Sequence, residues 1–430
     1  LDKGDEKMTD KIIELLKNSG ADAWEVTDTC TEGWEFYFIG HRLDQNRVRD
    51  VEHIEVIVHR KLDDGKFLGS ASQEIAPTAT EAEAKKIIDD LYERASYVKN
   101  PYYELNKKPV KGVDENFDPQ QMAKDYIEAM QHIPETSGED INSYEIFAEN
   151  CKRRYVNSEG IDVTISYPSS TVEVVVNARN DEHEIELYRM YTAGTCDREN
   201  LVKEISDTLK YGKDRLVAKP TPAAYKAAVL FPTQDCVQIY EWIVDKMMAS
   251  MKYREMSDWE IGKAICNDVK GDTFTISAVK ELANSSKNFP VDAEGAEVRD
   301  MAIIKDNVPV SYWGGVQFRH YLGVEDSFIA TNFKVEGGRL SESEIRTGTY
   351  LEPVEFSDFS VDIFTGEIAG EIRLAYWHEG DKVTPVCGGS VTGALTELIS
   401  DVKLSKELRQ YDNYLVPSVI KIENVTIAGA

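Results

Sequence analysis

HIEVIVH at residues 53–59 and TVEVVVN at residues 171–177 alternate in the same way. Ile54, Val56 and Val58 point to one side of the first stretch; Val172, Val174 and Val176 point to one side of the second. A period of two marks a strand buried on one face. The opposite face carries His53, Glu55, Ile57 and His59 in the first copy and Glu173 in the second, which predicts a solvated surface. The likeness extends outward from both strands. Trp24-Glu25-Val26 ahead of Cys30 is echoed by Tyr144-Glu145-Ile146 ahead of Cys151. A helix over 80–95, capped by Thr80 with acids in its first turn, is echoed by one near 197–210 with Leu201, Ile205 and Leu209 inward. The offset is about 118–121 residues, so the pattern predicts two copies of one strands-then-helix unit.

Other helices frame these units. Met8, Ile12, Leu15 and Leu16 share a face before the stop at Gly20. Asp118-Pro119 opens a helix carrying Met122, Tyr126, Met130 and Ile133, after an acidic connector near 101–118. Lys219-Pro-Thr-Pro222 marks a further boundary. Beyond it AAVLF (227–231) reads as a buried strand, and Thr233 starts a long helix running to Met251. Residues 270–390 are predicted mostly as strand. Gly388-Gly389-Ser390-Val391-Thr392-Gly393 is predicted to lead into a short helix at 394–400, and PSVIKIENVTIAGA to form a last strand. The expected fold is α+β: duplicated units at 1–115 and 116–218 on mainly antiparallel sheet, then a β-rich C-terminal domain at 219–430 with one long helix.

Composition excludes several classes of function. With 77 acidic against 49 basic residues the 430-residue chain carries a formal charge of −28, which argues against binding nucleic acid or anionic lipid. No apolar run approaches the roughly 18 residues of a membrane span, and the acidic start LDKGDEKMTD has no signal-peptide character. The six cysteines are scattered without a CxxC, as free thiols of a reducing cytoplasm would be.

Compact catalytic constellations are missing. A zinc hydrolase needs imidazole, carboxylate or thiolate donors converging on one ion. None of the seven histidines lies between His183 and His320, so the predicted 233–251 helix has no imidazole. His53 and His59 would sit roughly 20 Å apart on a strand, too far to share an ion. GGSVTG has Thr392 where a nucleophile elbow needs its second glycine. A glycine-rich turn opening a helix is able to hold a carboxylate or phosphate through free N–H groups, which makes Gly388, Gly389 and Ser390 candidate substrate contacts. A thiolate role for Cys387, or a plain tight turn, are the competing readings of the same stretch.

Four stretches together resemble the TldD/PmbA family, also described as modulators of DNA gyrase. They are RRYVNSEGIDVTISYPSSTVEVVV (153–176), FPVDAEGAEVRDMAIIKDNVPVSYW (289–313), SVDIFTGEIAGEIRLAYWHEG (360–380) with its following turn and TELI, and the C-terminal PSVIKIENVTIAGA. The resemblance implies a cytosolic protein working in pairs of related subunits as a peptidase for unfolded or small peptides. One subunit type carries an H-E-x-x-x-H zinc helix and a C-terminal Cys ligand; the other lacks both. Here CVQIYEWIVDKMMAS (236–250) places Tyr240, Glu241 and Asp245 at the three motif positions, and no Cys follows Cys387. The chain therefore resembles the PmbA/TldE-type subunit, with no metal ligand and no cofactor expected and no activity on its own. Glu241 is the residue of this helix taken as a candidate substrate contact. The expected partners are a TldD-like catalytic subunit or a second copy of the chain, and an unfolded peptide held in extended form along a strand edge in region 300–390. The competing reading is a non-catalytic, self-associating peptide- or protein-binding module.

Overall fold

A computed structural model describes residues 7–324 and 326–430. The N-terminal part follows one order twice. Helix α1 (Met8–Lys17), strands β1 (Ala23–Ile39), β2 (Arg42–Leu62) and β3 (Phe67–Ile75) and helix α2 (Glu81–Ala95) come first; a short strand β4 (Asn100–Pro101) follows. Then come α3 (Pro119–Met130), β5 (Glu139–Asn157), β6 (Asp162–Arg179), β7 (Glu184–Ala193) and α4 (Arg198–Leu216). The strands form one antiparallel sheet in the order β4-β3-β2-β1-β5-β6-β7, so the two triplets meet back to back along β1 and β5.

The alternation read from the sequence explains where the helices go. Ile54, Val56 and Val58 pack with Ile12, Leu16, Ile88 and Leu91 of α1 and α2. Val172, Val174 and Val176 pack with Met122, Tyr126, Leu201 and Ile205 of α3 and α4. All six β residues are fully buried. Thr80 closes a capping box with Glu83, and the Asp118 carboxylate accepts from the Gln121 amide, as the sequence predicted.

The polar face of β2 departs from expectation. His53 is exposed, but His59 is buried and its Nε2 lies 2.9 Å from Glu25 Oε1. Chain from the connector covers this end of the sheet: Tyr103 stands edge-on to His59, and Leu105 joins Ala23 and Leu68 beneath it. The Tyr155 hydroxyl donates to the other oxygen of Glu25, which links the three side chains in one buried polar network.

The remaining chain forms two further sheets around a single large core. β8 (Lys219–Pro220) and β9 (Ala224–Phe231) precede a 3₁₀ turn at Gln234–Cys236, α5 (Val237–Asp245) and α6 (Ala249–Tyr253). β10 (Ile276–Val279), β11 (Met301–Lys305), β12 (Val308–Pro309), α7 (Val316–Leu322), β13 (Asn332–Val335) and α8 (Glu342–Ile345) follow. Then come β14 (Thr349–Val361), β15 (Glu367–Glu379), β16 (Lys382–Cys387), β17 (Ser390–Ala394), α9 (Leu395–Leu398), β18 (Val402–Leu404), β19 (Leu408–Tyr411), β20 (Tyr414–Pro417) and β21 (Ile420–Ala428). Among the described residues the six-stranded sheet runs β12-β11-β10-β13-β20-β19, and an eight-stranded one runs β14-β9-β21-β17-β15-β16-β8 with β18 beside β21. Phe231, Ile239, Trp242, Ile243, Phe274, Ile372 and Ile422 lie in the core between them.

Three expectations for this half are corrected. The long helix from Thr233 is broken: Met248 turns extended (φ −63°, ψ 132°) to bridge with Trp313, whose backbone bonds Met247 and Ala249. Much of 270–348 is irregular chain between short strands. The short helix expected at 394–400 is present as α9 (Leu395–Leu398), but the Gly388-Gly389 turn joins strand to strand, β16 to β17, and does not itself open that helix.

Candidate functional site

A cleft of about 410 Å³ opens where the N-terminal sheet meets the C-terminal half. Its walls are the end of β7 (Met190 to Ala193), the first turns of α4, the segment from Gln234 to Glu241, and Arg409 to Asp412. β7 is the last strand of the seven-stranded sheet, and β19 is the last strand of the six-stranded one. Two strand edges thus border one cavity. Neither edge lies within 300–390, where the sequence reading placed one.

Hydrogen bonds fix the cleft. Asn284 has positive φ (56°), and its Oδ1 accepts from the Thr195 amide and hydroxyl, both at 2.8 Å. Its Nδ2 donates to Thr195 O, and its carbonyl accepts from Gly194 N at 2.8 Å. Gln410 Nε2 donates to Ala283 O, which ties β19 to the same loop. The cleft floor is therefore fastened to both edges.

The charges are mostly negative. Asp197, Glu204, Asp235, Glu241 and Asp412 line the cavity against one cation, Arg409, which is ion-paired with Glu204. Asp412 accepts from Ser286, and Asp197 caps α4 through Asn200 N. Burial pushes the Asp235 carboxyl up, opposed by the guanidinium of Arg189. Arg189 itself is buried and ion-paired with Glu355. The sequence reading missed Arg189, Asp235, Arg409 and Asp412. A signal existed for the first: Arg189 follows Leu187 on the buried face of β7, where an apolar residue is the rule.

The three motif positions of α5 separate in space. Tyr240 is fully buried in the core, its ring 6.4 Å from that of Phe274. Glu241 reaches the cleft, has no ion-pair partner among the described residues, and has its carboxyl pushed up by burial. Asp245, one turn on, is raised to about 6, first by burial and then by the charge of Glu241. Neither imidazole nor thiol lines the cavity. One buried phenol and two carboxylates do not fit catalytic zinc, which takes nitrogen or sulfur donors with an open position. Asp28, Cys30 and Glu52 do gather within 4.8 Å on the N-terminal sheet. Burial, then Asp28 and Glu52, hold the Cys30 thiol up at about 11.

Gly388, Gly389 and Ser390 lie elsewhere. Gly388 N donates to Ile372 O at 2.9 Å, Ile372 N donates to Gly389 O at 3.0 Å, and Ser390 is paired with Ala428. They line none of the cleft, so the structure does not bring them together with Glu241.

Residues 225–429 match the profile of the PmbA/TldA metallopeptidase C-terminal domain. Over that domain, a little under half of its length, the chain is similar to the PmbA/TldD family. The fold is shared along the whole length. TldE from Thermococcus kodakarensis superposes with a TM-score of 0.75 at 15% identity, over 97% of this chain and 100% of that one. A candidate modulator of DNA gyrase from Thermotoga maritima gives 0.74 at 14% identity, over 98% and 99%. A second such protein, from Bacteroides thetaiotaomicron, gives 0.75 at 14% identity, over 98% of each chain. No curated protein was matched. The PmbA/TldD fold is thus α+β with mainly antiparallel sheets and a strand-rich C-terminal half.

Proposed function

We propose that the chain is the metal-free, PmbA/TldE-like subunit of a TldD-type cytosolic peptidase acting on unfolded or small peptides. In this reading 1–115 and 116–218 are the duplicated units, and 219–430 is the domain carrying the motif helix. The chain contributes no metal chemistry. It completes the peptide chamber of a catalytic partner and presents the cleft between β7 and β19, where an extended substrate adds to a strand edge through its main chain. Such binding suits substrates of varied sequence, because the backbone is common to all of them. The observation that carries the reading is the α5 wall: of the three positions where an H-E-x-x-x-H helix presents donors, only Glu241 faces the cleft, with Tyr240 packed into the core. It also accounts for a chain that keeps the fold and the cleft while its motif positions hold no imidazole.

The test is metal analysis of the purified chain together with cleavage of unfolded peptides, with and without a TldD-type chain. The expected result is no stoichiometric zinc, no cleavage alone, and cleavage on mixing. Stoichiometric zinc with cleavage by the lone chain overturns the proposal. Stable self-association with no effect on any TldD-type chain favours the peptide-binding module instead.

A further inference from the structure

We propose that the cleft selects extended peptides bearing lysine or arginine, with Glu241 as the carboxylate that receives the cationic side chain. The inference rests on the peptide-holding reading above and adds the substrate class. Two features of the same cavity carry it.

The first is its shape. β7 and β19 are terminal strands of two different sheets, and both border the cavity. A chain entering between them meets unpaired main-chain groups and is held extended, which projects alternate side chains toward opposite walls. One of those walls is α5.

The second is an imbalance of charge. Four of the five acidic lining residues already have partners: Glu204 has Arg409, Asp412 has Ser286, Asp197 caps α4, and Asp235 accepts from the Thr233 hydroxyl and feels Arg189 behind the wall. Glu241 alone has neither an ion pair nor a hydrogen bond among the described residues. The titratable groups that feel its charge, Asp245 and Tyr414, are an acid and a phenol and offer it no positive charge. A half-buried carboxylate in that setting gains most from a cation brought by the ligand, because the pair forms where water is partly excluded. A peptide carboxylate at the same place would meet repulsion and further desolvation, so the cleft discriminates by sign.

The test uses fluorescence anisotropy with the full chain at physiological salt, where attraction to the net −28 charge is screened beyond roughly 8 Å. Two labelled peptides share one length and one Ser/Thr/Val scaffold; one carries lysines and the other glutamates. The lysine peptide is expected to bind about ten-fold more tightly. Glu241→Gln should remove most of that preference, and Glu241→Asp should retain part of it. Glu115→Gln, on the exposed connector, should leave it unchanged. Melting curves that match wild type establish that the variants are folded. A preference that survives Glu241→Gln, or that falls equally in Glu115→Gln, overturns the inference. Equal binding of both peptides overturns it while leaving the peptide-holding reading intact. Binding of neither overturns that reading as well.

Discussion

Gly389 sits in a turn for reasons of backbone geometry. Its φ is +74°, and a Cβ there would lie 2.1 Å from Ala428 O. Gly389→Ala should therefore cost at least about 2 kcal/mol, from left-handed strain plus the displaced strand. Urea denaturation measures the loss, and unchanged stability with altered peptide binding would favour the ligand reading of this turn. The same scale shows what was legible. Val172, Val174 and Val176 announced their burial because each responds only to a period of two. His59 and Arg189 did not, because their burial depends on partners distant in sequence: Tyr103 covers one and Glu355 neutralises the other. Glu241 was found through its place in a motif rather than through its own surroundings.

Elements whose boundaries depend on local signals were readable. α2 and α3 start at Thr80 and Asp118 because a cap is a short-range hydrogen bond. The helix from Thr233 was read too long because its apolar positions continue past Asp245, and the break is imposed from outside. Trp313 bridges Met248, and its indole Nε1 donates to Val244 O at 2.9 Å, an oxygen that also accepts from Met247 N in the last turn of the helix. Trp313→Phe keeps most of the ring contact but loses that donor. It should destabilise the chain by about 1–2 kcal/mol, read from the shift in denaturation midpoint at constant slope. A neutral result would mean that the break holds without the indole. The two edges around the cleft were beyond the sequence for a similar reason. Strand order across a sheet is a long-range property, and β20, which carries β19 at the edge, pairs with β13, a strand over seventy residues earlier.

The whole molecule depends on how the seven-stranded sheet seats against the C-terminal half, and buried acids stand at that junction. Arg153 donates to Val291 O and Asp292 O, and Asn106 donates to Glu294 O. Glu294 accepts from Val316 N, yet burial, with Asp292 and Glu25 nearby, pushes its carboxyl up to about 7; Arg319 and the amide oppose the shift. A carboxyl raised in the folded state favours folding fully below its unfolded value near 4.5 and loses that contribution as pH rises through about 7. Stability should therefore fall between pH 5 and 8 by on the order of 1–2 kcal/mol through this group, allowing for its remaining solvent contact. Glu294→Gln should flatten that fall, which thermal melts across the range would reveal. Parallel curves for wild type and variant would show that the junction is insensitive to this proton.

At this scale α5 lines a cleft that has no imidazole or thiol among its lining residues, in a fold shared with TldE, and the proposal is that no zinc is held there. The most direct measurement is elemental analysis of the purified full-length chain after dialysis against zinc. The expected metal content is far below one ion per chain, unchanged in Glu241→Gln. One tightly held zinc per chain, lost on that substitution, would contradict it.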